Sequence, residues 1–172
     1  MLGGALASFG KASHAVVLAA VLMLGSQSVL ALILVGEVVA VADGDTVTVL
    51  DEGKRQHRVR LAGIDAPEKR QAFGNKSRQA LASMVFRQRV VVESQKVDRY
   101  GRLIGKVFVG NVDVSLALLD LGLAWHYKEY QSEQSAEDRL SYSKSESIAH
   151  VKGVGLWQDR NPTPPWDFRR QR

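Results

Sequence analysis

The sequence of 172 residues contains no cysteine. Disulfides, zinc sites built on thiolates and cysteine nucleophiles are therefore excluded. Internal repeats and low-complexity blocks are also missing, and the length favours a single domain. A chain of this length can bury enough apolar surface to fold without disulfides, so the lack of cysteine is compatible with a location outside the cytoplasm.

Basic side chains outnumber acidic ones by 23 to 18, which gives a formal net charge of +5 and a sequence pI of about 9.6. This balance suits polyanionic partners, either nucleic acid or an anionic membrane surface. Because many basic proteins bind no nucleic acid, the charge alone is weak evidence for such a partner.

Charge is almost missing from the N-terminal end, where Lys11 is the only formally charged side chain before Glu37. An apolar run follows Lys11 as far as Leu24, and a polar break then leads to permissive small residues at 29–31. We predict that residues 1–31 are a signal peptide, that the protein is exported to the periplasm or the medium, and that no stable membrane association remains. An N-terminal membrane anchor is the alternative, but the polar break interrupts the roughly 20 apolar residues that a spanning helix needs.

The rest of the chain shows strand and helix periodicities in turn. Five strand-like runs occupy residues 38–41, 46–49, 57–61, 89–95 and 103–109. Helical patterns occupy 75–85, 116–121 (ended by Gly122) and 136–152 (begun by the capping box Ser135-x-x-Asp138). This order fits an α+β fold, a five-stranded Greek-key barrel of the OB type with about three helices.

We place the domain at residues 32–160 and assign 161–172 to a Pro- and Arg-rich C-terminal tail. Its prolines exclude regular helix or central strand from 161 to 165, and its last residues are expected to be mobile.

Acidic residues cluster around two of the predicted turns, and they are Asp43, Asp45, Asp65 and Glu68. A single acid in a turn usually faces solvent or caps a backbone amide. If the ends of neighbouring strands meet, however, Asp45 and Asp65 become close like charges, which either raise a pKa or bind a cation. A hard divalent ion such as calcium, which prefers oxygen ligands, would answer that need.

Two arginines accompany these acids, Arg60 between the two turns and Arg102 further along the chain. Their guanidinium groups stay protonated and match phosphate oxygens with paired hydrogen bonds. On residue type alone they are better explained as ordinary surface arginines.

The order and spacing of these segments resemble the motifs of the staphylococcal nuclease family. The matching segments are Asp43-Gly44-Asp45-Thr46, Arg58-Val59-Arg60-Leu61, Gly63-Ile64-Asp65-Ala66-Pro67-Glu68, Asp98-Arg99-Tyr100-Gly101-Arg102, Gly122-Leu123-Ala124-Trp125 and Gly155-Leu156-Trp157. Each is weak by itself, but together they cover about residues 36–157 in the family's order.

The resemblance implies a calcium-dependent nuclease that acts on DNA and RNA as a monomer and leaves 3′-phosphate ends. The roles that it implies are calcium binding by Asp45, Asp65 and the backbone carbonyl of Ala66, catalysis by Arg60, Arg102 and Glu68, and nucleotide stacking by Tyr100 and Tyr130. Tyr127 is an alternative to Tyr130. Ala66 departs from the hydroxyl residue of the founding enzyme, but a carbonyl ligand survives that change.

Because stacked bases must reach an aromatic side chain, single strands or frayed ends are the expected substrates. Two alternatives are a non-catalytic nucleic-acid-binding module on the same fold and an exported calcium-binding domain whose acidic cluster is structural.

Overall fold

Five strands with alternating buried and exposed side chains form the main sheet of the computed structural model, which describes residues 32–171. The strands are β1 (Leu32–Val41), β2 (Thr46–Asp51), β3 (Gln56–Leu61), β4 (Arg89–Val97) and β5 (Leu103–Val109). The helices are α1 (Gly74–Val85), α2 (Val114–Asp120), α3 (Ala136–Lys152) and α4 (Pro165–Arg170), with 3₁₀ turns at Lys128–Glu133 and Gly155–Gln158. The predicted signal peptide lies outside the described residues.

The sheet closes into a barrel. β1 pairs antiparallel with both β2 and β4, β2 pairs with β3, and β4 pairs with β5. A parallel pairing of β3 with β5, in register Val59 to Leu103, joins the two ends of the sheet. Two short pairings flank the barrel, Ile64–Asp65 with Trp125–His126 and Val112–Asp113 with β5. The prediction of a five-stranded barrel with helices is confirmed.

Inward-facing β-branched residues fill the barrel, because the strand period of two sends alternate side chains to the same face. Val47, Val49 and Val59 are fully buried there, and Leu81 of α1 and Leu118 of α2 belong to the same buried core. Within residues 32–171, no helix has both the length and the apolar character to cross a membrane.

Capping residues mark where α2 and α3 begin and where α2 ends. Ser135 accepts a hydrogen bond from the Asp138 N–H at the start of α3, as its capping box predicted. Gly122 takes the left-handed conformation (φ 63°) after α2, as predicted. α2 begins two residues earlier than expected, because the side chain of Asp113 accepts from the N–H groups of Ser115 and Leu116.

Two boundaries differ from prediction. β1 begins at Leu32 rather than Val38, because the apolar residues after the proposed cleavage point continue the pairing with β4, from Leu32 opposite Ser94. Residues 165–170 form α4, so the exclusion of regular helix is wrong for Pro165 and the expected mobility of the last four residues is wrong for Arg169 and Arg170. Pro165 occupies the first turn of that helix, where its missing N–H would have no partner.

Candidate active site

The hairpin of β2 and β3 positions the first two residues of the site. Thr46 lies opposite Arg60 in the antiparallel register, and the Leu61 N–H donates to the Asp45 carbonyl (2.8 Å). Asp45 and Arg60 therefore lie side by side at the end of the hairpin. The Arg60 side chain is only 14% exposed there.

Asp65 reaches the same point from the next turn. Its backbone pairs with Trp125, and the buried Asp65 carboxylate lies 3.0 Å from Arg60 Nη2. The same nitrogen lies 3.4 Å from Asp45 Oδ2, while Arg60 Nη1 donates to the Ile64 carbonyl (3.1 Å). One guanidinium thus holds two buried carboxylates together, as the sequence predicted for the two acids.

The electrostatics of this cluster show an excess of buried negative charge. Burial raises the pKa of Asp65, and the charge of Asp45 raises it further against the hydrogen bonds and charges of nearby arginines. Burial, followed by the charge of Asp45, also raises the pKa of Asp43 to about 6. A cation close to these carboxylates would lower both pKa values.

Arg102 is placed by the parallel pairing of β5 with β3, which brings the turn before β5 to the end of the hairpin. Its Nε donates to Asp98 Oδ2 (2.7 Å) and its Nη1 to Thr46 Oγ1 (3.5 Å). Thr46 in turn donates to Asp45 Oδ1 (3.0 Å). Arg102 is therefore linked to the Asp45 carboxylate through one hydroxyl, and the structure brings both predicted arginines together.

Ala66 and Glu68 follow Asp65 in a loop packed against α1. The N–H of the buried Ala66 donates to Asp45 Oδ2 (3.2 Å). Gly74 allows the start of α1 to approach the backbone of Glu68 closely, because a Cβ atom at residue 74 would lie 2.0 Å from the Glu68 carbonyl oxygen. The Glu68 carboxylate is 32% exposed and accepts from Arg169 Nη1 (2.8 Å) rather than from Arg60 or Arg102.

The three candidate stacking tyrosines differ in position. Tyr100 is 65% exposed with Arg102 over its ring at 5.5 Å. Arg60 lies over the ring of Tyr127 at 5.7 Å, whereas Tyr130 contacts Lys96 and packs edge-on against Tyr127. Of the two downstream candidates, Tyr127 rather than Tyr130 contacts an arginine of the cluster.

In residues 32–171, no three histidine, aspartate or glutamate side chains are grouped so that they could hold a metal ion. The ligand set predicted from the sequence needs only two carboxylates and one backbone carbonyl. Asp45 and Asp65 supply such a pair, and the carbonyl of Ala66 lies in the same loop.

These features define a class of protein, a small barrel with guanidinium groups and buried carboxylates gathered at one end. Guanidinium groups in such a site are suited to binding a phosphate. A profile of the family described as staphylococcal nuclease homologue matches residues 58–159. The chain belongs to this family, and its membership supports a nuclease function, the hydrolysis of nucleic acids.

Several relatives cover most of the chain. It is 44% identical over 145 residues to a protein named ParB from Escherichia coli, with 79% of both chains covered. It is 42% identical over 144 residues to a micrococcal nuclease from Shigella flexneri, with 78% of this chain and 80% of the relative covered. An uncharacterized endonuclease from Haemophilus influenzae is 40% identical over 134 residues, which cover 78% of this chain and 72% of the relative.

Two residues of the site were missed in the sequence. Thr46 connects Asp45 to Arg102, although its pattern indicated only an ordinary strand position. Arg169 contacts both Asp65 and Glu68 from the C-terminal tail. The signal for Arg169 was the Pro-Pro-Trp sequence before it, which combines a helix-starting proline with an aromatic residue able to pack on the domain.

Proposed function

We propose that the protein is a calcium-dependent nuclease that hydrolyses phosphodiester bonds of DNA and RNA, favours single strands and leaves 3′-phosphate ends. The observation that supports this proposal best is the sharing of Arg60 by Asp45 and Asp65. Arg102 joins the same cluster through Thr46. The alternative of a non-catalytic module is less well supported, because the chain retains both arginines and Glu68.

Calcium would be held by Asp45, Asp65 and the backbone carbonyl of Ala66. Calcium takes roughly six to eight oxygen ligands, so water and a phosphate oxygen of the substrate would complete the shell. When bound, the ion supplies positive charge against the phosphate. A site with so few protein ligands should bind calcium weakly, with a Kd on the order of 10⁻⁴–10⁻³ M, which suits an exported protein.

Arg60 and Arg102 would bind the non-bridging oxygens of the scissile phosphate and stabilise the charge that develops on them. Glu68 would accept a proton from water as the water oxygen forms its bond to phosphorus. The bond from phosphorus to the 5′-oxygen breaks on the opposite side, and the 5′-oxygen leaves with a proton from solvent. The phosphate then remains on the 3′-oxygen.

Base recognition would use Tyr100 and one downstream tyrosine. Tyrosine rings stack bases with little regard to sequence, and duplex stacking keeps bases from reaching them. The contact between Tyr127 and Arg60 favours Tyr127 over Tyr130 for this role. Substrate recognition is otherwise expected to rest on the phosphate backbone.

Export and a monomeric state belong to the same proposal. Residues 1–31 would direct the protein out of the cytoplasm and then be removed at Ala31. Sequencing the N terminus of protein recovered from the periplasm or medium tests this point. A protein retained in the membrane with Met1 still attached would instead identify the segment as an anchor.

The nuclease proposal is tested with purified protein on denatured DNA, duplex DNA and RNA, with calcium or with a chelator. We expect calcium-dependent cutting, fastest on the denatured substrate, and a loss of about 10²–10³ in kcat for Arg102→Ala. Glu68→Ala is expected to lose about 10²–10⁴. The matched control is Arg89→Ala, which removes an exposed arginine that forms an ion pair with Glu52, away from the site.

Product ends provide an independent measurement. Cut DNA should resist extension by a polymerase until a phosphatase removes the 3′-phosphate. Full activity in Arg102→Ala, or equal cutting in calcium and chelator, would refute the proposal.

A further inference from the structure

The C-terminal helix α4 places a third guanidinium on the candidate calcium ligands. Arg169 Nη2 lies 2.8 Å from Asp65 Oδ2, and Arg169 Nη1 lies 3.2 Å from Asp65 Oδ1. The same Nη1 donates to Glu68 Oε1 at 2.8 Å. Both oxygens of Asp65 are therefore bound to Arg169, in the bidentate geometry typical of strong arginine–carboxylate pairs.

This pairing meets the same electrostatic need as a metal ion. Arg60 is shared between Asp45 and Asp65, so the cluster has room for further positive charge. Arg169 supplies that charge from a position 104 residues further along the chain. Because Arg169 binds both oxygens of Asp65 and Arg60 also binds Oδ1, a divalent ion at Asp65 must compete with Arg169 for the carboxylate.

A neighbouring residue of α4 covers the proposed base-stacking side chain. The ring of Trp166 lies parallel to that of Tyr127, with an angle of 4° between planes and 5.4 Å between centroids. Trp166 also packs edge-on against Trp125 at 5.7 Å. The indole therefore covers one face of the Tyr127 ring.

The docking of α4 combines buried contacts with solvent-exposed ones. Pro165 is buried and Gln71 Nε2 donates to the Thr163 carbonyl, but the Arg169 side chain is 41% exposed. Solvent weakens an ion pair of that exposure. α4 has six residues and no side-chain cap at its start, so little helix structure is lost if it moves.

We infer that α4 is an autoinhibitory segment, in which Arg169 competes with calcium for Asp65 and Glu68 while Trp166 competes with a nucleobase for Tyr127. The inference rests on the proposed function, since it assigns to Asp65, Glu68 and Tyr127 the roles given above. Calcium binding and the docking of α4 are then mutually exclusive, and each lowers the occupancy of the other. Glu68 becomes available as a base only in the undocked state.

Calcium affinity of the full chain provides the test. Isothermal titration with calcium alone is performed on the wild-type protein, on Arg169→Ala and on Arg170→Ala. If α4 is docked in about nine molecules of ten, removing Arg169 should lower the apparent Kd for calcium about tenfold. Arg170→Ala removes the same charge one residue later, from a side chain that pairs with Asp167 at 3.4 Å, and should leave the Kd within about twofold.

A second measurement uses the unaltered protein. The indole N–H resonance of Trp166, assigned by its loss in Trp166→Phe, should shift when calcium is added, because the ring leaves Tyr127. Thermal unfolding of each variant confirms that it is folded before calcium is titrated.

The outcomes separate the two proposals. An unchanged calcium Kd in Arg169→Ala, an equal decrease in Arg170→Ala, or a Trp166 resonance unmoved by saturating calcium overturns autoinhibition, even if the wild-type protein cuts DNA. A wild-type protein that fails to cut at any calcium concentration, together with an Arg169→Ala variant that also fails, refutes the nuclease proposal itself.

Discussion

At the scale of single residues, the hydroxyl of Thr46 lies between the Asp45 carboxylate and the Arg102 guanidinium. It donates to Asp45 Oδ1 at 3.0 Å and accepts from Arg102 Nη1 at 3.5 Å, and the residue is fully buried. Asp45 and Arg102 each lie just before a strand, so their side chains depend on contacts from other segments. We therefore regard Thr46 as a residue that positions Asp45 and Arg102 relative to each other.

Thr46→Val removes that hydroxyl without changing the volume much. A lost hydrogen bond costs about 0.5–1.5 kcal/mol, so kcat on denatured DNA should fall about 3–10-fold, since about 1.4 kcal/mol corresponds to tenfold. Thr46→Ser keeps the hydroxyl and should retain most of the activity. Steady-state kinetics at saturating calcium measure both, and a wild-type kcat in Thr46→Val would contradict the positioning role.

At the scale of elements, the hairpin of β2 and β3 determines where the site forms, and Asp51 organises its turn. Asp51 accepts from the Arg55 N–H and from Arg55 Nε, both at 2.9 Å, and lies 2.8 Å from His57 Nε2. The hydrogen bond with His57 and those from Arg55 hold the pKa of Asp51 well below its usual range.

The sign of the resulting pH dependence follows from linkage. Because the folded pKa of Asp51 is below the unfolded value near 3.8, the unfolded state binds more protons in acid. The contribution of Asp51 to the free energy of unfolding should therefore be complete above about pH 4 and be lost as the pH drops below it. Urea unfolding between pH 2.5 and 6 should show a shallower decline for Asp51→Asn than for wild type; parallel curves would contradict this.

At the scale of the whole molecule, excess basic charge accompanies a cluster of guanidinium groups at one end of the barrel. The sequence carries a formal net charge of +5, and the two proposed phosphate ligands, Arg60 and Arg102, reach the same end of the barrel. Binding of a polyanion to such a surface releases counterions, so affinity should depend on salt.

The salt dependence can be measured through KM for denatured DNA at constant calcium, between 50 and 200 mM salt. With about two phosphates neutralised, the logarithm of affinity should fall with a slope of about −1.4 against the logarithm of salt concentration. The kcat should change much less, because it reports the bound state. A KM independent of salt would argue against recognition through the phosphate backbone.

Much of the architecture is encoded locally. The alternation of Val47 and Val49 with threonine predicts β2, and the hydroxyl of Ser135 predicts the start of α3, because strand and helix periods and caps act over only a few residues. Ordered motifs also identified Asp45, Arg60, Asp65 and Arg102 as one group. Sequence patterns could not show how that group is held together, since Thr46 looked like any strand residue.

Tertiary structure decided the contacts between distant segments. The sharing of Arg60 by Asp45 and Asp65 needs the register of β2 with β3, and the place of Arg102 needs the parallel closure of β3 on β5. The docking of Arg169 on Asp65 joins residues 104 positions apart. Local propensity determined the strands, helices and caps of this protein, whereas the charge balance of its site arose only when the closed barrel and its C-terminal helix brought those side chains within hydrogen-bonding distance.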